Sequence, residues 1–138
     1  MDYQLTKPQY QALTATEAYV GVVAGFDSGK TQNALIQMLT TKLKYPSVDL
    51  AYLAPTVGDI KTIFYPRICE LLQAHNLKFK RNKSEGIISI HGYGRILAKS
   101  MESKIHDWQC GDAFLNELDT LPKEQAISVI RRTTARCR

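Results

Sequence analysis

The sequence predicts an α/β domain built on a parallel sheet, and three observations predict it. An apolar run from Tyr19 to Ala24 passes through small residues into a helical pattern. A second apolar run, Leu50 to Ala54, leads into another helical pattern. Strand–helix–strand–helix is the signature of parallel strands joined by right-handed crossovers. Farther on, two short β-prone runs meet at a glycine-bearing turn, which adds a hairpin to the sheet.

Taken in order, residues 1–17 are polar and contain Pro8, Gln9 and Gln11, and 8–16 are predicted to form a short helix. The run Tyr19–Ala24 lacks alternation, so it reads as a strand buried on both faces. Leu35, Leu39 and Leu43 lie four apart with Ile36 and Met38 beside them. That is a helix with one apolar stripe, ended by Tyr45-Pro46-Ser47. Leu50–Ala54 is a second strand, closed by Pro55. Ile60, Ile63, Phe64, Ile68, Leu71 and Leu72 follow at helical spacing, and Pro66 predicts a kink or two abutting helices. Residues 78–83, KFKRNK, are a basic cluster. Gly86–His91 and Arg95–Lys99, joined by Gly92-Tyr93-Gly94, predict the hairpin. Ala113-Phe114-Leu115 is a third short apolar run, and Pro122 sits in the first turn of a last helix over 121–133. No repeat or linker divides the chain, so 1–138 reads as one domain.

Composition narrows the function. Hydrophobic content of 44% and charged content of 22% are those of an ordinary globular protein. The net charge of +5 favours anionic partners, though mildly. Cys69, Cys110 and Cys137 are odd in number and widely spaced, which suggests neither a disulfide framework nor a zinc site. His75, His91 and His106 are too scattered to suggest a metal site. With no apolar signal core and no apolar run of about 18 residues, an intracellular protein that does not enter a membrane is expected.

The chemistry is concentrated in residues 18–31, AYVGVVAGFDSGKT. A strand that stops at a glycine turn and opens a helix with Lys and Thr is the context of a phosphate-binding loop. The turn bares backbone N–H groups, and its glycines, Gly25 and Gly29, would let them close round a phosphate. The Lys30 ammonium would meet the β- and γ-phosphates, and the Thr31 hydroxyl is a Mg²⁺ ligand. The pattern G-x-x-x-x-G-K-[ST] asks for Gly where Ala24 stands. Asp27 puts a carboxylate beside the triphosphate, a like-charge contact costing on the order of 1–4 kcal/mol unless the side chain turns outward. An ordinary glycine turn between strand and helix is the simpler alternative.

Phe114-Leu115-Asn116-Glu117 is the second candidate. A strand that ends in two acidic residues gives an ATPase a metal-linked carboxylate and a carboxylate that polarises water. Here Asn116 replaces the first and Glu117 keeps the second. Two solvated residues at a strand end would look the same in isolation. The cluster Lys78, Lys80, Arg81, Lys83 and the tail Arg131, Arg132, Arg136, Arg138 are candidates for nucleic-acid phosphates, or solvated faces.

These residues together resemble the N-terminal ATPase region of tailed-bacteriophage terminase large subunits, the motors that package DNA. The resemblance is carried by Leu5-Thr6-Lys7-Pro8-Gln9, by residues 24–31 and by Leu53-Ala54-Pro55-Thr56. It continues through Gly94-Arg95-Ile96 and residues 105–121, IHDWQCGDAFLNELDTL. It implies a P-loop NTPase sheet of the RecA-like kind, with helices on both faces and the added hairpin. It implies Gln9 near the adenine, Lys30 and Glu117 as catalytic residues, and Mg²⁺ held by Thr31 and by Asn116 where the family has Asp. It implies ATP and double-stranded DNA as ligands, the terminase small subunit and portal protein as partners, and the bacterial host cytoplasm as the location. The family also carries an Arg near the loop that senses phosphate, and the sequence leaves its position here open.

Asp27 and Asp107 stand where Gly is usual, and Asn116 where Asp is usual, each one G-to-A base change away. The family's further ATPase strand and its nuclease domain have no counterpart after Arg138, so the domain is expected to lack its C-terminal strands. Three readings therefore stay open. One is an ATP-hydrolysing packaging domain, one a degenerate prophage fragment that binds nucleotide or DNA without turnover. The third is another P-loop protein, such as a helicase-like ATPase or a small kinase.

Overall fold

The computed structural model describes residues 6–14, 30–82, 84–100 and 110–116. The elements are α1 (Lys7–Thr14), α2 (Lys30–Lys44), β1 (Leu50–Ala54) and α3 (Val57–Asp59), which runs into a π-helical turn at Ile60–Phe64. Then come α4 (Tyr65–Ala74), β2 (Phe79–Asn82), β3 (Ile87–Ile90), β4 (Gly94–Ser100) and β5 (Asp112–Leu115). The predicted strand at 19–24 and helix at 121–133 lie outside the described residues.

The five described strands form one mixed sheet in the order β2-β3-β4-β1-β5. β4, β1 and β5 are parallel, with Leu50 beside both Ile96 and Asp112. β2, β3 and β4 form an antiparallel meander, so the expected hairpin is present and its second strand is also a parallel neighbour of β1. Every residue of β1 is buried, as its unbroken apolar run predicts for a central strand covered on both faces.

One face packs against α2 and α4. Leu35, Met38 and Leu39 of α2 and Ile68 and Leu72 of α4 share a core with Leu50, Tyr52, Ile88 and Ile96. The ring of Phe64 stacks on Tyr52 with centroids 4.5 Å apart. The opposite face holds a second cluster of Ala51, Leu53, Leu97 and Cys110.

The α2 stripe differs from the sequence reading at its last turn. Leu43 is 40% exposed, and the position that continues the buried face is Lys42, which is fully buried. Its stem lies along the apolar face while its ammonium donates to the carbonyl of Val48, tying α2 to the start of β1. Hydrophobic type cannot report such a residue, because the polar head finds its partner six positions along the chain.

Pro66 acts as expected, by dividing the long helix. Its missing N–H and its ring would disrupt an α-helical bond to residue 62. The chain meets this with the π turn, in which Tyr65 N–H donates to Ile60 five residues back, and α4 restarts with Pro66 in its first turn. In the meander two glycines are required. Gly86 (φ 68°) and Gly94 (φ 78°) take left-handed conformations, and a Cβ would press on the carbonyl of Ala98 at the first and of Pro46 at the second.

Tyr65 is buried and its hydroxyl has no hydrogen-bond partner among the described residues. Burial, and then the neighbouring Cys69, push its phenol above the ordinary tyrosine value of 10.0. The unfolded chain releases that proton near pH 10 while the folded chain keeps it, so this contribution is intact below pH about 10 and lost as pH rises further. Tyr65→Phe is expected to flatten the loss of stability above pH about 10. At pH 8 it should leave stability unchanged or raise it by about 1 kcal/mol, because an unpaired buried hydroxyl is removed. Urea midpoints at the two pH values check both.

Candidate functional site

The three parallel strands point the same way, so their C-terminal ends share one edge of the sheet. Ala54 of β1 pairs with Ser100 of β4, and Leu53 pairs with Leu115 of β5. Asn116 follows at once, half-buried, its N–H donating to the Leu53 carbonyl over 2.9 Å. Pro55 and Thr56 leave β1 at the same edge, and Thr56 caps α3 by accepting from the Asp59 N–H at 3.1 Å. In an open α/β sheet this edge, beyond the carboxyl ends of the strands, is where ligands bind.

The direction of α2 brings Lys30 and Thr31 to it. The C-terminus of α2 is fastened at the opposite edge, where Lys42 holds Val48 and residues 45–49 lead into β1. The 15 residues of α2 run about 22 Å back over the sheet, at least the length of β1 at about 16 Å. Its first turn therefore reaches the edge that carries Asn116. α2 begins at Lys30, as the sequence predicts, with Thr31 half-buried behind it. A helix N-terminus with unpaired N–H groups favours an anion.

Gln9 lies on α1, which contacts α2. Its side-chain oxygen accepts from the Thr6 N–H at 2.9 Å, while the Gln9 N–H donates to the Thr6 hydroxyl at 3.4 Å. This is a capping box, legible in the sequence as Thr6-x-x-Gln9, and it fixes the carboxamide at the start of α1. Of the other expected site residues, Ala24, Gly25, Phe26, Asp27, Ser28, Gly29 and Glu117 lie outside the described residues, as does the side chain of Lys30.

Two buried polar residues near this edge were not singled out from sequence. Asn33, one turn into α2, is 4% exposed and its Oδ1 has no hydrogen-bond partner among the described residues. Ser100 ends β4 beside Ala54 and is buried. Polar type alone reads as surface at both positions; only their place in the packed layer marks them.

Arg95 is at the other end of the strands. Its Nη2 donates to Asp49 Oδ2 at 2.5 Å, and this hydrogen bond, reinforced by the carboxylate charge, raises its pKa further. It is not placed to sense a phosphate at the first turn of α2. Cys69 is buried and outside any disulfide among the described residues, Cys110 is buried, and Cys137 lies outside the described residues. Among the described residues no group of three His, Cys, Asp or Glu side chains could hold a metal. No helix among them is long and apolar enough to cross a membrane.

A mixed sheet whose parallel strands β4, β1 and β5 end at one edge, with α2 opening on Lys30-Thr31 and Asn116 following β5, defines an open α/β domain. The chain belongs to the terminase large-subunit family: the model of its T4-like type, N-terminal region, matches residues 22–138. The fold agrees. It is similar to the large terminase of a thermophilic bacteriophage, with a TM-score of 0.81 at 13% identity over 98% of this chain. The structure of that large terminase in complex with ADP gives 0.76 at 13% identity over 97% of the chain. Its complex with ATP-gamma-S gives 0.77 at 14% identity over 96%. The chain spans 37% of the length of the first of these and of the ADP complex, and 36% of the ATP-gamma-S complex. No curated protein matches it.

Proposed function

We propose that this chain is the ATP-binding portion of a terminase large subunit, hydrolysing ATP with Mg²⁺ to drive double-stranded DNA packaging. The observation that carries this is the convergence of the Lys30-Thr31 helix start and Asn116 on one sheet edge, in a fold whose solved relatives bind ADP and ATP-gamma-S.

Residues 24–29 cradle the triphosphate through backbone N–H groups, and Lys30 neutralises charge that builds on the γ-phosphate. The Thr31 hydroxyl and the Asn116 carboxamide oxygen are hard donors that suit Mg²⁺, which takes few protein ligands beside phosphate and water. Held by these two residues, Mg²⁺ would supply positive charge against the phosphate oxygens. Glu117, next in the chain after Asn116, orients the attacking water and draws its proton. Gln9, held by Thr6, faces the adenine. The terminase small subunit and the portal protein are the partners this reading implies, in the host cytoplasm.

A second reading has its own support. Asn116 brings no negative charge to the metal, and Asp27 adds one to the phosphate loop. Both favour a chain that binds nucleotide without turnover, as a drifted prophage gene would produce.

Phosphate release decides between them. The ATPase reading predicts Mg²⁺-dependent release of phosphate to water, abolished in Lys30→Ala and reduced at least about 100-fold in Glu117→Gln, which still binds nucleotide. Binding without release in the unaltered chain supports the second reading. Transfer to a small acceptor, with little release to water, identifies a kinase and overturns both.

A further inference from the structure

The chain's positive charge is uneven along its sequence. Residues 78–99 hold six of the 18 Lys and Arg residues and one of the 13 Asp and Glu residues. Their net charge of +5 equals that of the whole protein, and the other residues balance at 12 against 12. These 22 residues take in β2, β3 and all of β4 but Ser100, at one end of the described sheet.

The fold arranges that charge by face. Phe79 and Arg81 pair with Ile90 and Ile88, so they lie on the side covered by α4, and Arg81 Nη1 sits 3.8 Å from Cys69 Sγ. Lys80 pairs with Ser89, and Ser89 with Arg95, which puts the three in one row across the other face, all exposed. Lys80 and Arg95 are two strand spacings apart, about 10 Å. Lys78 is exposed beside this row, where its carbonyl accepts from His91 N–H at 2.8 Å. Among the described residues neither Lys78 nor Lys80 has a carboxylate partner, whereas Arg95 is shared with Asp49.

We propose that this open face of the meander seats the phosphate backbone of duplex DNA, with Lys78 and Lys80 as its main contacts and Ser89 and Arg95 completing the row. The inference rests on the packaging reading above for its choice of polyanion. Lysines on an edge strand also discourage edge-to-edge pairing. That explanation covers Lys80 but not Arg95, which stands two strands in on the same face. Cations that meet phosphates release counterions, so binding here is independent of sequence and falls steeply with salt.

Fluorescence anisotropy with a duplex of about 30 base pairs and arbitrary sequence, between about 50 and 200 mM salt, tests it. Lys78→Gln/Lys80→Gln is expected to weaken binding about tenfold or more and to lower the slope of log affinity against log salt by about 2. Lys78→Arg/Lys80→Arg should bind as the unaltered chain does. Lys44→Gln/Arg67→Gln removes the same charge from exposed sites on α2 and α4 and should change affinity less than about twofold. Unaltered affinity in the double glutamine variant overturns the proposal, as does an equal loss in the helix control or no duplex binding by the unaltered chain. A variant that aggregates while keeping its affinity supports edge protection instead and also overturns it. Mg²⁺·ATP-gamma-S binding is measured on the same samples. Its absence refutes the nucleotide reading alone, and the duplex isotherms still decide this one.

Discussion

With Asp27→Gly and Asn116→Asp combined, the chain should bind Mg²⁺·ATP about 10- to 1000-fold more tightly than before. Two separate charge effects produce the gain. A carboxylate a few Å from a phosphate, in partly screened surroundings, opposes binding by on the order of 1–4 kcal/mol. Each 1.4 kcal/mol is about tenfold in affinity. On the nucleotide-site reading, glycine at 27 removes that repulsion. Aspartate at 116 acts on the metal. The Leu53 carbonyl already fixes the backbone of residue 116 at the end of β5, so a carboxylate would be delivered where the amide now sits. The single variants separate the two effects. Asp27→Gly should raise affinity with or without Mg²⁺, whereas Asn116→Asp should raise it only with Mg²⁺ present. No gain from the pair would show that these residues do not limit the site.

The largest expected loss of stability is at Phe64. Its ring is fully buried, stacked on Tyr52 with an interplanar angle of 18°, and it ends the π turn that lets Pro66 fit. Phe64→Ala leaves a cavity between the helix layer and β1 and should cost about 3–5 kcal/mol. Against a typical total of about 5–15 kcal/mol, that is a large part of the stability. The melting temperature should fall by about 10–20 °C. Leu43→Ala is the contrast. The sequence puts Leu43 on the same apolar stripe as Leu35 and Leu39, but it is 40% exposed and should cost less than about 1 kcal/mol. Urea denaturation of the two variants ranks the positions directly.

The contrast shows where the sequence is informative. Unbroken apolar runs identified β1 and β5, and glycine placement identified the β3–β4 turn, because burial and turn geometry act through local residue type. Pro66 located the break in the long helix for the same reason. β2 escaped the reading because Phe79 is its one apolar residue, and an edge strand can remain exposed and charged. Lys42 escaped because its partner is Val48, not a neighbour on its own helix face. At the candidate site, the Lys30-Thr31 helix start and Asn116 were legible from motif spacing. Their meeting at one edge follows from the sheet order, which no local signal states. Asn33 and Ser100 became visible only once the layers were packed.

The central claim is that the edge formed by α2 and β5 is a nucleotide site, and calorimetric titration of the chain with ATP-gamma-S tests it most directly. The account predicts saturable, one-to-one binding that tightens when Mg²⁺ is added, is displaced by ADP and is lost in Lys30→Ala. Heat that does not saturate, or binding unchanged by Lys30→Ala, would contradict it.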